Sequence, residues 1–130
     1  MQVNEQNYVE EAERVIIKLT KLKDTRNRSV SLVTTSKLRN LLALTSDIYN
    51  EVMGQNGDTL EEEICSRIEY LRVRFLYEAG REPAVRRLVE EAKLLEVLKG
   101  IHGSKKNFIL FSRYMEALVA FRKYYDENDD

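Results

Sequence analysis

Apolar residues recur three and four positions apart through most of the chain, the spacing that marks one face of a helix. The first such segment runs from about Glu5 to Leu22, with Tyr8, Val9, Ala12, Val15, Ile16 and Leu19 in phase. Periodicity then lapses from Lys23 to Thr34, a stretch that reads as a mobile basic loop. The hydroxyl cluster Thr34-Thr35-Ser36 offers N-caps for a second helix. Its face is Leu38, Leu41, Leu42, Thr45, Ile48, Tyr49 and Val52, and Gly54 and Gly57 end it. Thr59 and Glu62 form a capping-box pattern at the start of a third helix, which Gly80 is placed to stop.

That third helix has two apolar stripes. Ile64, Ile68, Leu71, Phe75 and Ala79 make the main one, and Tyr70, Val73 and Tyr77 lie on the far side. Two such faces imply either a central helix, the expectation in a lone domain, or a surface that meets another protein. Pro83 suits the first turn of a fourth helix, whose Val85, Leu88, Val89, Ala92, Leu95 and Leu98 face inward until Gly100 and Gly103. Ser104 can cap a fifth helix reaching about Tyr125. There Phe108, Leu110, Phe111, Tyr114, Met115, Leu118 and Phe121 cover more than half the circumference, predicting the most buried helix. The pattern predicts an all-α fold: a compact five-helix bundle, one domain over residues 1–125, with an acidic tail at 126–130.

Composition supports this. In 130 residues, 43% apolar and 33% charged describe a globular chain rather than a disordered one, and one proline with five glycines favours helices over turn-rich sheet. The net charge is −1, so any contact with a polyanion must come from a local patch. Acidic ends mask an internal basic stretch: Lys18, Lys21, Lys23, Arg26, Arg28, Lys37 and Arg39 face Asp24 alone, a solvated loop unless something anionic covers it. Cys65 is the sole cysteine, which excludes an internal disulfide. The polar first ten residues do not read as a signal peptide, and no apolar run approaches the ~20 residues that cross a bilayer. A reducing, cytoplasmic setting with no membrane contact is the expectation.

Catalytic chemistry finds little support. His102 stands alone between Gly100 and Gly103, and with one distant cysteine it cannot build a zinc site. Cys65 sits at a helix-face edge and reads as packing. Glu61-Glu62-Glu63 suits the positive end of the third helix better than it suits a metal. No phosphate loop, H-E-x-x-H or G-x-S-x-G pattern occurs. No catalytic residue, metal or cofactor is expected.

The basic residues are the candidates. Arg67 and Arg74 share a stripe beside the core face, with Arg81 roughly in line past the helix end, and an arginine fork suits phosphate. The structural alternative is i,i+4 pairing, Glu63 with Arg67 and Arg74 with Glu78; Arg86–Glu90 and Arg87–Glu91 are similar pairs. Arg72 is expected half-buried beside an acid, and Arg122 packed by its stem. Lys105 and Lys106 oppose the macrodipole in the first turn of the fifth helix, a site where a phosphate would be welcome. Arg113 lies opposite the apolar arc.

The blocks TTSKLRNLL (Thr34–Leu42), YLRVRFLYEAGREP (Tyr70–Pro83) and GSKKNFILFSRYMEALVAFRKYY (Gly103–Tyr125) resemble the small helical subunit of type III-A CRISPR–Cas effector complexes, the Csm complexes. The resemblance covers about Tyr8 to Tyr125. It implies an all-α, non-catalytic subunit present in several copies. These would stack on one another beside the repeated backbone subunit that holds the guide RNA, and the large subunit would be a further partner. It also implies contact with the guide–target RNA duplex, chiefly through target-strand phosphates. By matching blocks, the RNA-facing residues implied are Lys37, Arg39, Arg74, Arg81, Lys105, Lys106 and Arg113. A helical adaptor that meets only protein, through Tyr70, Val73 and Tyr77, is the alternative. An enzyme would require His102 or Cys65 to carry activity.

Overall fold

The computed structural model describes residues 2–125, so the acidic tail lies outside the described residues. Among them the chain folds as six α-helices: α1 (Tyr8–Thr20), α2 (Thr35–Gly54), α3 (Glu62–Arg81), α4 (Pro83–Glu91), α5 (Leu94–Lys99) and α6 (Lys105–Tyr124). The all-α expectation holds, and the five-helix count does not. The predicted fourth helix breaks after Ala92, where Lys93 turns left-handed at φ 56°. The apolar rhythm runs on through the break, so the pattern could not show it.

α6 is the hub, as its wide apolar arc predicts. α1 and α2 pack along it, α5 touches it, and α3 leans on α2, α4 and α5. Phe108, Phe111, Tyr114, Met115 and Leu118 of α6 are buried. Phe111 reaches Phe75 of α3 with ring centroids 5.9 Å apart. α2 runs antiparallel to α6. Lys105 at the start of α6 bonds the Gln55 carbonyl at the end of α2, and Arg122 near the other end donates to the Val33 carbonyl just before α2. Arg122 is buried, as its place in the apolar arc implied.

Some of the predicted caps form. Thr34 accepts from the Lys37 amide and Ser104 from the Asn107 amide, and Pro83 opens α4. The capping box does not form. α3 begins at Glu62 with Glu61 at its cap, while Thr59 pairs with Ser104 and the Leu60 amide bonds the Gly103 carbonyl. The 58–60 segment is thus used to seat the start of α6. Gly80 does not stop α3, which runs one residue further. Glu82 is extended, as a residue before proline prefers, and it ends the helix. α1 starts at Tyr8 because the Asn4 side chain takes the Gln6 and Asn7 amides and closes a turn there instead. Val9, in phase with the core, is nonetheless exposed.

The expected central position of α3 is overturned. Tyr70, Val73 and Tyr77 are 61%, 53% and 60% exposed, and Leu76 joins them.

The helix pairs are also tied by charge. Glu91 of α4 takes Arg14 at 3.1 Å and Lys18 at 3.2 Å, joining α4 to α1. The expected Arg87–Glu91 pair is absent because Arg87 donates to the Ser31 carbonyl, whereas Arg86–Glu90 forms at 3.2 Å. Burial pushes the Glu91 carboxyl up, but hydrogen bonds from Arg14 and Lys18 outweigh it and hold the group below the usual carboxylate range. The unfolded chain therefore binds this proton more readily than the folded one. The clasp stabilises the fold above the ordinary glutamate pKa, about 4.3, and is lost as pH falls through the lower folded value. Glu91→Gln should therefore lower the urea midpoint at pH 7, and the two proteins should converge toward pH 3. A gap that stays constant from pH 7 to pH 3 would contradict the clasp.

Candidate nucleic-acid interface

The predicted phosphate-facing residues do not form one patch. Lys37, Arg74 and Arg81 come together along a groove between α2 and α3, with Asn40, Leu44, Glu78 and Val85. The groove continues past Arg74 and Leu44 to Tyr70, Arg67, Asp47 and Glu63. Lys105 and Lys106 lie at the far end of α2, about 25 Å from Lys37 along the helix axis. Arg39 and Arg113 are exposed, and neither lines the groove.

Helical spacing explains the groove. Arg67, Arg74 and Arg81 repeat every seven residues on the edge of α3 that faces α2, and Tyr70 and Tyr77 alternate with them at three- and four-residue steps. The Arg81 guanidinium lies 6.0 Å from the Tyr77 ring centre.

Pairing sorts the cations further. Lys37 is bound to Glu82 and holds its carboxyl below the usual range. Arg81 reaches Glu78 at 3.6 Å and Glu82 at 3.4 Å. Arg67 pairs with Glu51 on α2 rather than with Glu63. With Glu78 turned to Arg81, the expected Arg74–Glu78 pair is not made. Arg74 has no side-chain hydrogen bond or ion pair among the described residues, and the same holds for Arg39 and Arg113. Arg72 is half-buried against Glu69 at 2.9 Å, as anticipated.

The phosphate seat expected at the start of α6 is already filled. Asp58 accepts the Lys106 amide at 3.1 Å, its carbonyl accepts the Lys105 amide, and Ser104 takes the next donor. The Lys105 ammonium is spent on the Gln55 carbonyl at 2.6 Å, and Lys106 stands 3.8 Å from Glu5.

His102 and Cys65, distant by sequence reasoning, line one small hollow with Glu69 and Lys99. Cys65 points its thiol at the Leu60 carbonyl, 3.7 Å away, and His102 is exposed. Among the described residues no group of three or more histidine, cysteine or carboxylate side chains is placed to hold a metal. No helix among them is long and apolar enough to cross a membrane.

The family model described as Csm2 Type III-A matches residues 9–128. The chain belongs to the Csm2 type III-A family. A "CRISPR system Cms protein Csm2" of Mycobacterium tuberculosis is 43% identical over 129 residues, 99% of each chain. Proteins of the same name from Streptococcus thermophilus and Enterococcus italicus are 42% and 41% identical, covering 98% of each chain and 91% and 89% respectively. The family resemblance read from three sequence blocks thus extends over the described helices from α1 to α6.

The groove cations lie on two of those blocks: Lys37 stands in TTSKLRNLL, and Arg74 and Arg81 in YLRVRFLYEAGREP. Arg67 is the groove cation outside them, Asn40 adds a polar group to the lining, and Glu82 pairs with Lys37 and Arg81. The i,i+7 arginine spacing was the signal that pointed to the groove. The opposing α2 residues could be placed only by the fold.

Proposed function

We propose that this chain is the non-catalytic small subunit of a cytoplasmic type III-A CRISPR–Cas ribonucleoprotein. Several copies stack along the complex, next to the repeated backbone subunit and the large subunit. Each touches the guide–target RNA duplex, mainly at target-strand phosphates. The observation that carries the RNA contact is Arg74. It lines the α2–α3 groove half-buried, and its guanidinium is left without an acid partner while Lys37, Arg67 and Arg81 beside it are all paired. Five donors in a planar fork on a residue that lines a groove suit a phosphodiester oxygen pair.

Arg39 and Arg113 are unpaired exposed cations that add to this reading. The paired Lys37 and Arg81 contribute by exchanging a carboxylate for a phosphate, a smaller net gain. Lys105 and Lys106 contribute least, because their amides and ammonium groups are engaged within the fold. One copy therefore binds weakly, and repetition along a strand strengthens the grip. Sequence recognition is left to base pairing, so shape and charge suffice for the protein.

A guide-loaded complex reconstituted with Arg74→Glu should assemble normally. It should lose about 10-fold or more in target affinity, the scale of one charge-assisted hydrogen bond, about 1.5–3 kcal/mol. Normal assembly with unchanged affinity would contradict the reading.

The exposed Tyr70, Val73, Leu76 and Tyr77 favour a second reading, a helical adaptor that docks another subunit through α3. On that reading Tyr70→Ser with Tyr77→Ser prevents assembly, and Arg74→Glu changes nothing.

A further inference from the structure

The segment between α1 and α2, aperiodic in sequence, is a stitched hairpin rather than a structureless loop. Lys23 and Ser29 pair antiparallel, the Asp24 amide bonds the Arg28 carbonyl at 2.8 Å, and the Val30 amide bonds the Leu22 carbonyl at 3.1 Å. Asn27 takes the left-handed corner at φ 62°, a conformation asparagine tolerates. The Asp24 carboxylate accepts the Arg26 amide at 2.8 Å and the Arg28 amide at 2.9 Å. The C-terminal leg is fixed to the body. Arg87 of α4 donates to the Ser31 carbonyl at 2.9 Å, Arg122 of α6 donates to the Val33 carbonyl, and Val33 is buried.

We propose that this hairpin, Lys21–Val30, is a second RNA-binding element that grips the phosphodiester backbone through Lys21, Lys23, Arg26 and Arg28. It rests on the reading above only for RNA as the polyanion, and it uses none of the groove residues. Four cations less the one carboxylate give +3 within ten residues, in a chain whose net charge is −1. The one carboxylate is turned into the hairpin by its own amide bonds, and Arg28 closes on it at 3.2 Å. Lys21 and Arg26 have no side-chain partner among the described residues, and Lys23 reaches only the Ser29 hydroxyl. Every side chain from Lys23 to Ser29 is exposed.

The composition of the tip selects the occupant. From Lys23 to Ser29 there is no apolar side chain. A protein partner is held by apolar and aromatic anchors, whereas a phosphate backbone needs only fixed positive charge. A hairpin already stitched by Asp24 presents that charge without ordering a loop on binding.

The test is binding of a fluorescent 20-nucleotide single-stranded RNA to the purified full chain from 25 to 200 mM salt. Changing Lys21, Lys23, Arg26 and Arg28 together to Gln should make the slope of log K against log salt shallower by about 2–3, near 0.7 for each phosphate that the variant no longer neutralises. An unchanged slope, with thermal melting showing the variant folded, overturns the proposal. Arg74→Glu in parallel separates the two sites. A shallower slope for the hairpin variant alone keeps the hairpin and removes the groove, and the converse removes the hairpin. Asp24→Asn keeps an acceptor for both amides, and Asp24→Ala does not, although each raises the net charge equally. The asparagine variant should bind RNA at least as tightly as the parent and the alanine variant more weakly. Equal binding by the two would overturn the role of the stitched turn. Hairpin-dependent binding of a Glu-rich peptide in place of RNA would overturn the assignment of the occupant.

Discussion

Replacing Phe111 with alanine is expected to remove about 3–5 kcal/mol of stability, a large share of the roughly 5–15 kcal/mol that holds a domain together. Phe111 is fully buried, seven residues into α6, where the hub helix meets Phe75 of α3. Truncation loses both the transfer free energy and the tilted ring pair, and the backbones of two long helices cannot close the gap. The thermal midpoint should fall by about 10 °C or more in a chain of this size. Phe111→Leu keeps most of the volume and should cost clearly less. A loss under about 1 kcal/mol for the alanine variant, measured by urea unfolding, would mean that Phe111 is not packed against Phe75 in the core as described.

The second large effect is expected at Tyr114. Its ring is buried and its hydroxyl donates to the Ala92 carbonyl at 3.0 Å, at the point where α4 ends and Lys93 turns left-handed. Burial pushes the phenol well above its ordinary range, with the nearby Glu11 adding to the shift, so it remains a donor at any pH where the protein is handled. Tyr114→Phe preserves the packing but takes the donor from a buried carbonyl, which costs about 1–3 kcal/mol. Because the carbonyl belongs to the α4–α5 break, amide hydrogen exchange should rise first around residues 91–97. Equal urea midpoints and unchanged exchange there would show that the break is held by something else.

These two residues also show what the sequence could and could not tell. Phe111 lies in phase with the apolar arc of α6, and the arc alone predicted a buried hub. The break at Lys93 was hidden because Val89, Ala92, Leu95 and Leu98 stay in phase across it. What breaks the helix is a left-handed residue and a hydroxyl from twenty-two positions away. Thr34, Pro83 and Ser104 acted as their local chemistry dictates. Thr59 and Gly80 did not, because the strand-like contact with Ser104 and the residue before Pro83 outweighed their intrinsic preferences.

The interface divides in the same way. The heptad spacing of Arg67, Arg74 and Arg81 was legible, and the partner of each was not. Sequence neighbours proposed Glu63 and Glu78, whereas the fold supplied Glu51 from α2 to Arg67 and turned Glu78 toward Arg81. Arg74 is left unpaired by those choices. The positive start of α6 looks open to a phosphate in the sequence, and Asp58, distant along the chain, occupies it. The hairpin at Asp24 carries no periodic signal, since its order comes from one side chain bonding two amides.

The most direct measurement is target-RNA affinity of the guide-loaded complex, reconstituted with and without this chain, across a salt series. Omitting the chain should weaken target binding and make its salt dependence shallower, because fewer phosphates are neutralised and fewer counterions are released. Unchanged affinity and unchanged slope would contradict this expectation.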